Sequence, residues 1–138
     1  MIQYDRDLYE LIKGYIPQEY KTFYDMIKKE FRKSDGTVES IPNSVTITIR
    51  PAEAPDRLQN GTYIRHKRLV SFSIFTDIGG SEQIDEGNRI GKIIIDTMDS
   101  LINTNGIVDC IRVYETKHVG LSEQGLHAFS LEYKVIYN

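Results

Sequence analysis

Residues 122–138 read SEQGLHAFSLEYKVIYN, and they hold the most regular apolar alternation in the chain. Phe129, Leu131, Tyr133, Val135 and Tyr137 occupy every second position, which is the period of a strand with one buried face. A strand of this quality at the end of a chain is usually tied into a sheet, because a loose end would fray. We therefore predict a strand over residues 126–137 whose apolar face covers a layer of helices.

The composition is that of a globular protein with the size of one domain. The chain has 138 residues, of which 40% are apolar and 27% are charged, and its formal net charge is -3. A generic nucleic-acid binder would normally be basic. No apolar run is long enough to cross a bilayer, and the N-terminus lacks a signal pattern. The single cysteine, Cys110, permits no internal disulfide and favours a reducing compartment.

The first 33 residues predict two short helices that meet at Pro17. Pro17 fits the first turn of the second helix. Apolar residues recur at helical spacing in both segments. The first set is Tyr4, Leu8, Leu11, Ile12 and Tyr15, and the second set is Tyr20, Phe23, Tyr24, Ile27 and Phe31. The next stretch, SDGTVESIPNS over residues 34–44, has the turn signals of a loop.

Two strands and an arm between them are expected next. The segment VTITI at 45–49 alternates cleanly, as does LVSFSIFT at 69–76. Between them, residues 50–68 contain two prolines, which exclude a central strand, and Asn60-Gly61, which favours a tight turn. We interpret residues 50–68 as a protruding arm that returns into the second strand.

A long helix is predicted after the second strand. Ser81 is a natural N-cap, and Asn105-Gly106 is a stop signal. Gly87 and Gly91 fall on the apolar stripe of this helix, where each costs about 1 kcal/mol relative to alanine. Their presence on that stripe predicts a close approach of the helix to the sheet.

The remaining residues complete an α+β fold. IVDCIRVYE at 107–115 predicts a strand, and 116–125 a turn region before the last strand. The order of elements predicts a mostly antiparallel four-stranded sheet with helices packed on one face and a protruding arm. Residues 1–138 would form a single domain, with N-terminal helices at 1–33 and an α+β core at 45–138.

No catalytic constellation is found. His118 and His127 flank the last hairpin and are expected to be neighbours, but a zinc site would need two further ligands. We expect hydrogen-bonded or solvated histidines, no metal, no cofactor and no enzymatic activity. Glu86 and Arg89 are three residues apart, which favours a surface ion pair. The densest basic patch is RHKR at 65–68, with Arg57 nearby on the arm.

From about residue 42 to 138, the chain resembles the tail terminator, or tail completion, proteins of tailed bacteriophages. The resemblance rests on the order of elements, the arm with APDR, the strand and helix FSIFTDIGGSEQIDEGNRIGKIIIDTMDSL, and the ending SLEYKVIY. The second N-terminal helix is an addition to the single leading helix usual in that family. The resemblance implies a structural protein of the virion tail, assembled in the host bacterial cytoplasm, and no membrane association.

In such proteins a homo-hexameric ring caps the tail tube, stops its polymerisation and offers a surface for head attachment. The implied partners are other copies of the chain, the tail tube protein and the head–tail connector protein, and DNA would pass through the lumen without specific binding. The resemblance makes Arg57, Arg65 and Arg68 candidate contacts between subunits or with the tube. Glu53 and Asp56 are then candidate ion-pair partners.

Three rival functions follow from the same residues. A head–tail connector or neck protein would also assemble as a ring, but it would join the portal to the tail. A small ligand-binding α+β domain would require a polar cluster in a pocket. A nucleic-acid binder with a basic arm would show affinity for DNA that falls steeply with salt.

Overall fold

The computed structural model describes residues 2–24, 30–32, 38–40, 43–52, 56–57, 63–122 and 125–138. Five strands form one mixed sheet, and two helices pack against it. In chain order the elements are α1 (Asp5–Lys13), β1 (Lys21–Tyr24), β2 (Glu30–Arg32), β3 (Val38–Ser40), β4 (Ser44–Pro51), β5 (Asp56–Arg57), β6 (Tyr63–Thr76), α2 (Ser81–Leu101), β7 (Ile107–Leu121) and β8 (His127–Tyr137).

The strand order in the sheet is β1-β4-β6-β8-β7. The pairs β4–β6, β6–β8 and β8–β7 are antiparallel, whereas β1 is parallel to β4. The two-residue strand β5 pairs with β6 beside this path, and β2 and β3 form a separate antiparallel pair. The predicted α+β class is confirmed, but the sheet has a fifth, parallel strand that the sequence did not indicate.

That fifth strand corrects the prediction of a second N-terminal helix. Residues 21–24 form β1, and residues 30–32 form β2, so the helix is wrong in both places. Residues 25–29 and 33 lie outside the described residues. Pairing with β4 gives the backbone of β1 its hydrogen bonds, and the ring of Tyr24 stacks on Tyr9 of α1 at 4.7 Å between centroids. This long-range pairing outweighs the helical spacing of Tyr20, Phe23 and Tyr24.

The last strand, β8, lies inside the sheet between β6 and β7. Its burial alternates without interruption along all 11 residues. Its buried residues face the helices together with those of β4 and β6, as the alternation predicts. The buried apolar residues of these three strands are Val45, Ile47, Ile49, Val70, Phe72, Ile74, Phe129, Leu131, Tyr133, Val135 and Tyr137.

Helix α2 lies close to this face because of its two glycines. A Cβ atom on Gly87 would be 2.0 Å from the ring of Phe129, and one on Gly91 would be 2.6 Å from Thr116. The predicted close approach is therefore confirmed. Ser81 is the first helical residue and not the cap, since Gly80 occupies the N-cap position.

Helix α1 packs on the same face, over β4 and β1. Its residues Leu8, Tyr9 and Ile12 are buried in one apolar core with the residues of α2. Tyr4 and Tyr15, which share the predicted stripe, are instead exposed at the helix ends. Both helices therefore cover one side of the sheet, as predicted.

Candidate assembly interface

The predicted arm at 50–68 is wrong at both ends, because residues 50–51 belong to β4 and residues 63–68 to β6. Of the predicted interface residues, Asp56 and Arg57 lie in β5, and Arg65 and Arg68 in β6. Asp56 is in register with Arg65, and Arg57 with Tyr63, in the short antiparallel pairing of β5 with β6. The side chain of Arg65 is exposed. Glu53 lies outside the described residues. The part these residues play in subunit contacts stays a prediction.

Arg68 contacts its own chain. Its Nε donates to Oδ1 of Asp5 in α1 at 2.8 Å, and Nη1 donates to the carbonyl oxygen of Lys67 at 3.1 Å. The guanidinium also lies 6.0 Å from the ring centroid of Tyr137. Only 20% of the Arg68 side chain is exposed. Arg68 thus joins α1 to the sheet, a role that its place in a basic run did not indicate.

The most exposed apolar surface of the sheet follows β7. This strand has 15 residues and lies at the end of the sheet, where it pairs only with β8 among the described residues. Four large aliphatic side chains along it are exposed: Ile111 (45%), Val113 (51%), Val119 (56%) and Leu121 (63%). We call these four residues the β7 patch; Ile111 is in register with Lys134 on the outer face of β8, and Leu121 with His127 on its buried face. A row of exposed aliphatic side chains on an edge strand is typical of a contact with another chain.

The backbone of β7 is irregular along the same edge. Its register with β8 shifts at four places, and Val113 and Val119 lie inside two of these shifts. Such bulges twist an edge and interrupt its row of free backbone groups. The edge is therefore a poor template for open-ended strand addition, although its side chains remain available.

Polar and aromatic groups lie between the aliphatic side chains of the patch. Arg112 forms an ion pair with Glu115 at 3.0 Å, and the ammonium of Lys117 lies 4.3 Å from the ring centroid of Tyr114. The Tyr114 hydroxyl shares a hydrogen bond of 2.7 Å with Ser130 of β8. The charged and aromatic side chains of Tyr114, Glu115 and Lys117 therefore separate Ile111 and Val113 from Val119 and Leu121 along the strand.

A histidine pair lies at the far end of β7. His118 Nε2 and His127 Nδ1 are 3.0 Å apart, and His127 Nε2 donates to the carbonyl oxygen of Gly79 at 2.7 Å. The predicted neighbourhood of these two histidines, and their hydrogen bonding, are confirmed. Among the residues that the structure describes, no group of three or more histidine, cysteine or acidic residues is arranged to hold a metal ion.

A polar cluster joins the N-terminal segment to α2. Arg89 contacts Glu86 through two hydrogen bonds of 3.0 and 2.7 Å, which confirms the predicted ion pair. The Tyr20 hydroxyl donates to Glu86 Oε1 at 3.0 Å and is also in contact with Arg89. Burial, with a smaller contribution from Glu86, raises the pKa of Tyr20 to about 12, whereas Arg89 lowers the pKa of Glu86. These contacts hold the segment around Tyr20 against α2.

A polar groove of about 490 Å³ lies between α1 and β1. It is lined by Glu10, Lys13, Gly14, Ile16, Gln18, Tyr20, Lys21 and Thr22. Its titratable lining residues are Glu10, Lys13, Tyr20 and Lys21. Within the described part of the chain, no helix is long and apolar enough to span a membrane.

Comparison with known protein families and with curated proteins gives no match for this chain.

Proposed function

We propose that this protein is a structural assembly protein that associates with copies of itself through the β7 patch into a closed ring. The exposure of four aliphatic side chains on one edge strand carries the proposal. Covering them with a neighbouring subunit would remove apolar surface from water at about 25 cal/mol per Å².

The irregular backbone of β7 argues against a fibre built by continuous strand pairing. A straight free edge could add strands without limit, whereas an edge with four register shifts cannot continue a regular ladder. Contacts between subunits would instead be made by side chains. In a head-to-tail contact the patch of one subunit would meet a different surface of the next, and a ring forms where the rotation between neighbours closes.

The length of the strand is adequate for such a contact. Fifteen extended residues span about 45–50 Å. A stable interface buries about 800 Å² on each partner, which a strip about 16–18 Å wide along this strand would supply. The charged side chains of Arg112, Glu115 and Lys117, which lie between the aliphatic residues, would help to set the register between neighbours.

In biological terms, we propose a tail terminator of a tailed bacteriophage. The ring would cap the tail tube, stop its polymerisation and offer a surface to the head connector, with Arg57 and Arg65 of the arm as candidate contacts. Support comes from the resemblance of residues 42–138 in element order and from the α+β fold, in which the long helix α2 follows β6 and precedes β7 in chain order. The formal net charge of -3 suits a ring through which DNA moves without binding.

Light scattering after size exclusion, over a concentration series, tests self-association. The wild-type mass should rise with concentration toward six times the 15.9 kDa of one chain. The variants Val113→Lys and Val119→Lys should stay monomeric, because each places a charge among the apolar side chains of the patch. Tyr15→Lys is the matched control: it removes an equally exposed side chain, 52% against 51% and 56%, near the opposite edge of the sheet, and should assemble like wild type.

A monomer at every concentration, or equal assembly of all four proteins, would count against the patch as an interface. Electron microscopy of tail tubes mixed with the assembled protein then tests the role in the tail. Rings at tube ends, and shorter tubes when the protein is present during polymerisation, are expected of a terminator. Binding to isolated connectors without binding to tubes would indicate the head–tail connector instead.

A further inference from the structure

The pair formed by His118 and His127 is suited to metal binding as well as to hydrogen bonding. We propose that these two imidazoles together bind one divalent transition-metal ion, with water completing its coordination, and that Cu²⁺ and Ni²⁺ bind in preference to Zn²⁺. This proposal is independent of the proposed assembly function.

The first argument is the orientation of His127. A carbonyl oxygen can only accept a hydrogen bond, so the contact of 2.7 Å between His127 Nε2 and the Gly79 oxygen places the proton on Nε2. In neutral His127 the lone pair therefore lies on Nδ1, which faces His118. A backbone carbonyl that fixes the tautomer in this way is the usual outer partner of a metal-binding histidine.

The second argument is the position of His118. It pairs in register with Phe129, and His127 lies two residues earlier on the same face of β8. The two ring centroids are 5.1 Å apart and the rings are tilted by 40°, so the nitrogens face each other without ring stacking. His118 is exposed. Its proton can therefore move to Nδ1 through solvent, which frees the Nε2 lone pair, and its side chain can rotate to admit an ion.

The separation of the two nitrogens favours one coordination geometry. They are 3.0 Å apart in the hydrogen-bonded pair, and if His118 rotates to turn its lone pair toward an ion while keeping this separation, nitrogen ligands about 2.0–2.1 Å from the ion would subtend about 90–97° at it. This angle is closer to the right angle of tetragonal Cu²⁺ or Ni²⁺ sites than to the tetrahedral angle of Zn²⁺. Exposure of His118 leaves room for water on the remaining positions.

The surroundings are compatible with a cation. Glu82 lies near His127, and backbone N–H groups of Glu82 itself and of Gly80 lower the pKa of its carboxyl, so that it is ionised. The ring of Phe129 backs His118 at 5.0 Å between centroids. The nearest lysine along β7, Lys117, lies over the ring of Tyr114 on the other face of the strand pair.

The test is a titration of tag-free protein with Cu²⁺, followed by calorimetry and by electron paramagnetic resonance, and repeated with Ni²⁺ and Zn²⁺. Wild type should bind one equivalent of Cu²⁺ with two nitrogen ligands in the spectrum. His118→Gln keeps an N–H donor for His127 Nδ1 but removes the imidazole, so binding should weaken at least about tenfold and show one nitrogen fewer.

The control is His66→Gln, which removes the third histidine, whose ring stacks on Tyr137 at 5.3 Å, and should bind Cu²⁺ like wild type. A second readout is thermal stability, because an ion that binds only the folded state raises the melting temperature. Ni²⁺ should raise it for wild type and His66→Gln but not for His118→Gln. Equal Cu²⁺ affinity of wild type and His118→Gln, or loss of binding in His66→Gln, would overturn the proposal. Tighter binding of Zn²⁺ than of Cu²⁺ or Ni²⁺ would overturn the stated preference.

Discussion

Replacement of Gly87 by alanine tests the close packing of α2 on β8. A Cβ atom at this position would lie 2.0 Å from Cε2 and 2.2 Å from Cζ of Phe129. Non-bonded carbon atoms normally stay about 3.5–4.0 Å apart, so the overlap is about 1.5–2 Å. Phe129 is 1% exposed and has the ring of His118 beside it, so it has little space into which to move.

Two opposing effects set the size of the change. Alanine is more favourable than glycine inside a helix by about 1 kcal/mol. Overpacking of a core costs about 1–3 kcal/mol, and an overlap this large belongs near the upper limit. We therefore expect Gly87→Ala to lower the free energy of unfolding by about 2 kcal/mol. For a chain of 138 residues this corresponds to a loss of about 6–8 °C in melting temperature.

Two further glycines provide matched controls. A Cβ atom on Gly91 would lie 2.6 Å from the side chain of Thr116, which is on the edge strand and can shift, so we expect Gly91→Ala to cost about 1 kcal/mol or less. A Cβ atom on Gly14 would meet only backbone oxygens at 3.5 and 3.6 Å, and φ is -60°. Gly14→Ala should therefore stabilise the protein by about 0.4–1 kcal/mol.

Urea unfolding measures all three variants, followed by circular dichroism and by tyrosine fluorescence, since the chain has nine tyrosines and no tryptophan. Phe129→Leu introduced together with Gly87→Ala should lose less stability than the sum of the two single changes, because the smaller side chain makes room for the methyl group. The reasoning is refuted if Gly87→Ala is as stable as wild type, or if Gly91→Ala loses more stability than Gly87→Ala.

Three further predictions concern ionisable groups. Burial raises the pKa of Tyr20 and Tyr133 to about 12, above the ordinary value of 10.0, so their contribution to stability is complete below pH 10 and lost as pH rises through 12. Urea unfolding at several pH values should show this fall in the free energy of unfolding, and the fall should be smaller in Tyr20→Phe. An equally steep fall in the wild type and in Tyr20→Phe would exclude Tyr20 as a source. Burial raises the pKa of the Cys110 thiol to about 12, so a thiol reagent should react slowly with the folded protein and quickly in urea; fast reaction without urea would contradict the burial. In a double-mutant cycle of unfolding free energies, Arg68→Met and Asp5→Asn should show a coupling energy of about 0.5–1 kcal/mol. This coupling energy should be smaller at high salt. Additive effects of the two changes would mean that the ion pair contributes nothing to stability.

The parts of the fold that the sequence predicted well are those with one regular period. The alternation from Phe129 to Tyr137 and the glycine-containing stripe of α2 each fit a single element, and both are confirmed. Strand β1 has only four residues, and its spacing fits a helix equally well. Its identity is decided by pairing with β4, a contact that no local pattern contains.

The candidate interface was harder to predict for a related reason. Val113 and Val119 lie in register shifts, which break the two-residue period and concealed the full length of β7, predicted only to residue 115. Their exposure depends on β7 being the outermost of the described strands on that side of the sheet, which is a property of the topology. By contrast, the proximity of His118 and His127 was predictable, because they flank one hairpin.

The position of β8 in the sheet has a consequence for synthesis of the protein on the ribosome. In chain order β8 comes after all the other described strands, yet in the sheet it lies between β6 and β7. Until β8 has left the ribosome, β6 lacks one neighbour and β7 lacks its only described partner. At about 5–20 residues per second, the stretch from Thr76 to His127 takes several seconds to make, and β6 is unpaired on that side throughout.

During that interval the apolar face of β6 and the stripe of α2 remain incompletely covered. Nascent chains on neighbouring ribosomes would expose the same surfaces, and these could pair with one another before each chain supplies its own β8. Slower translation of the last strand should therefore reduce the yield of folded protein more than slower translation of β1, which completes only an outer edge.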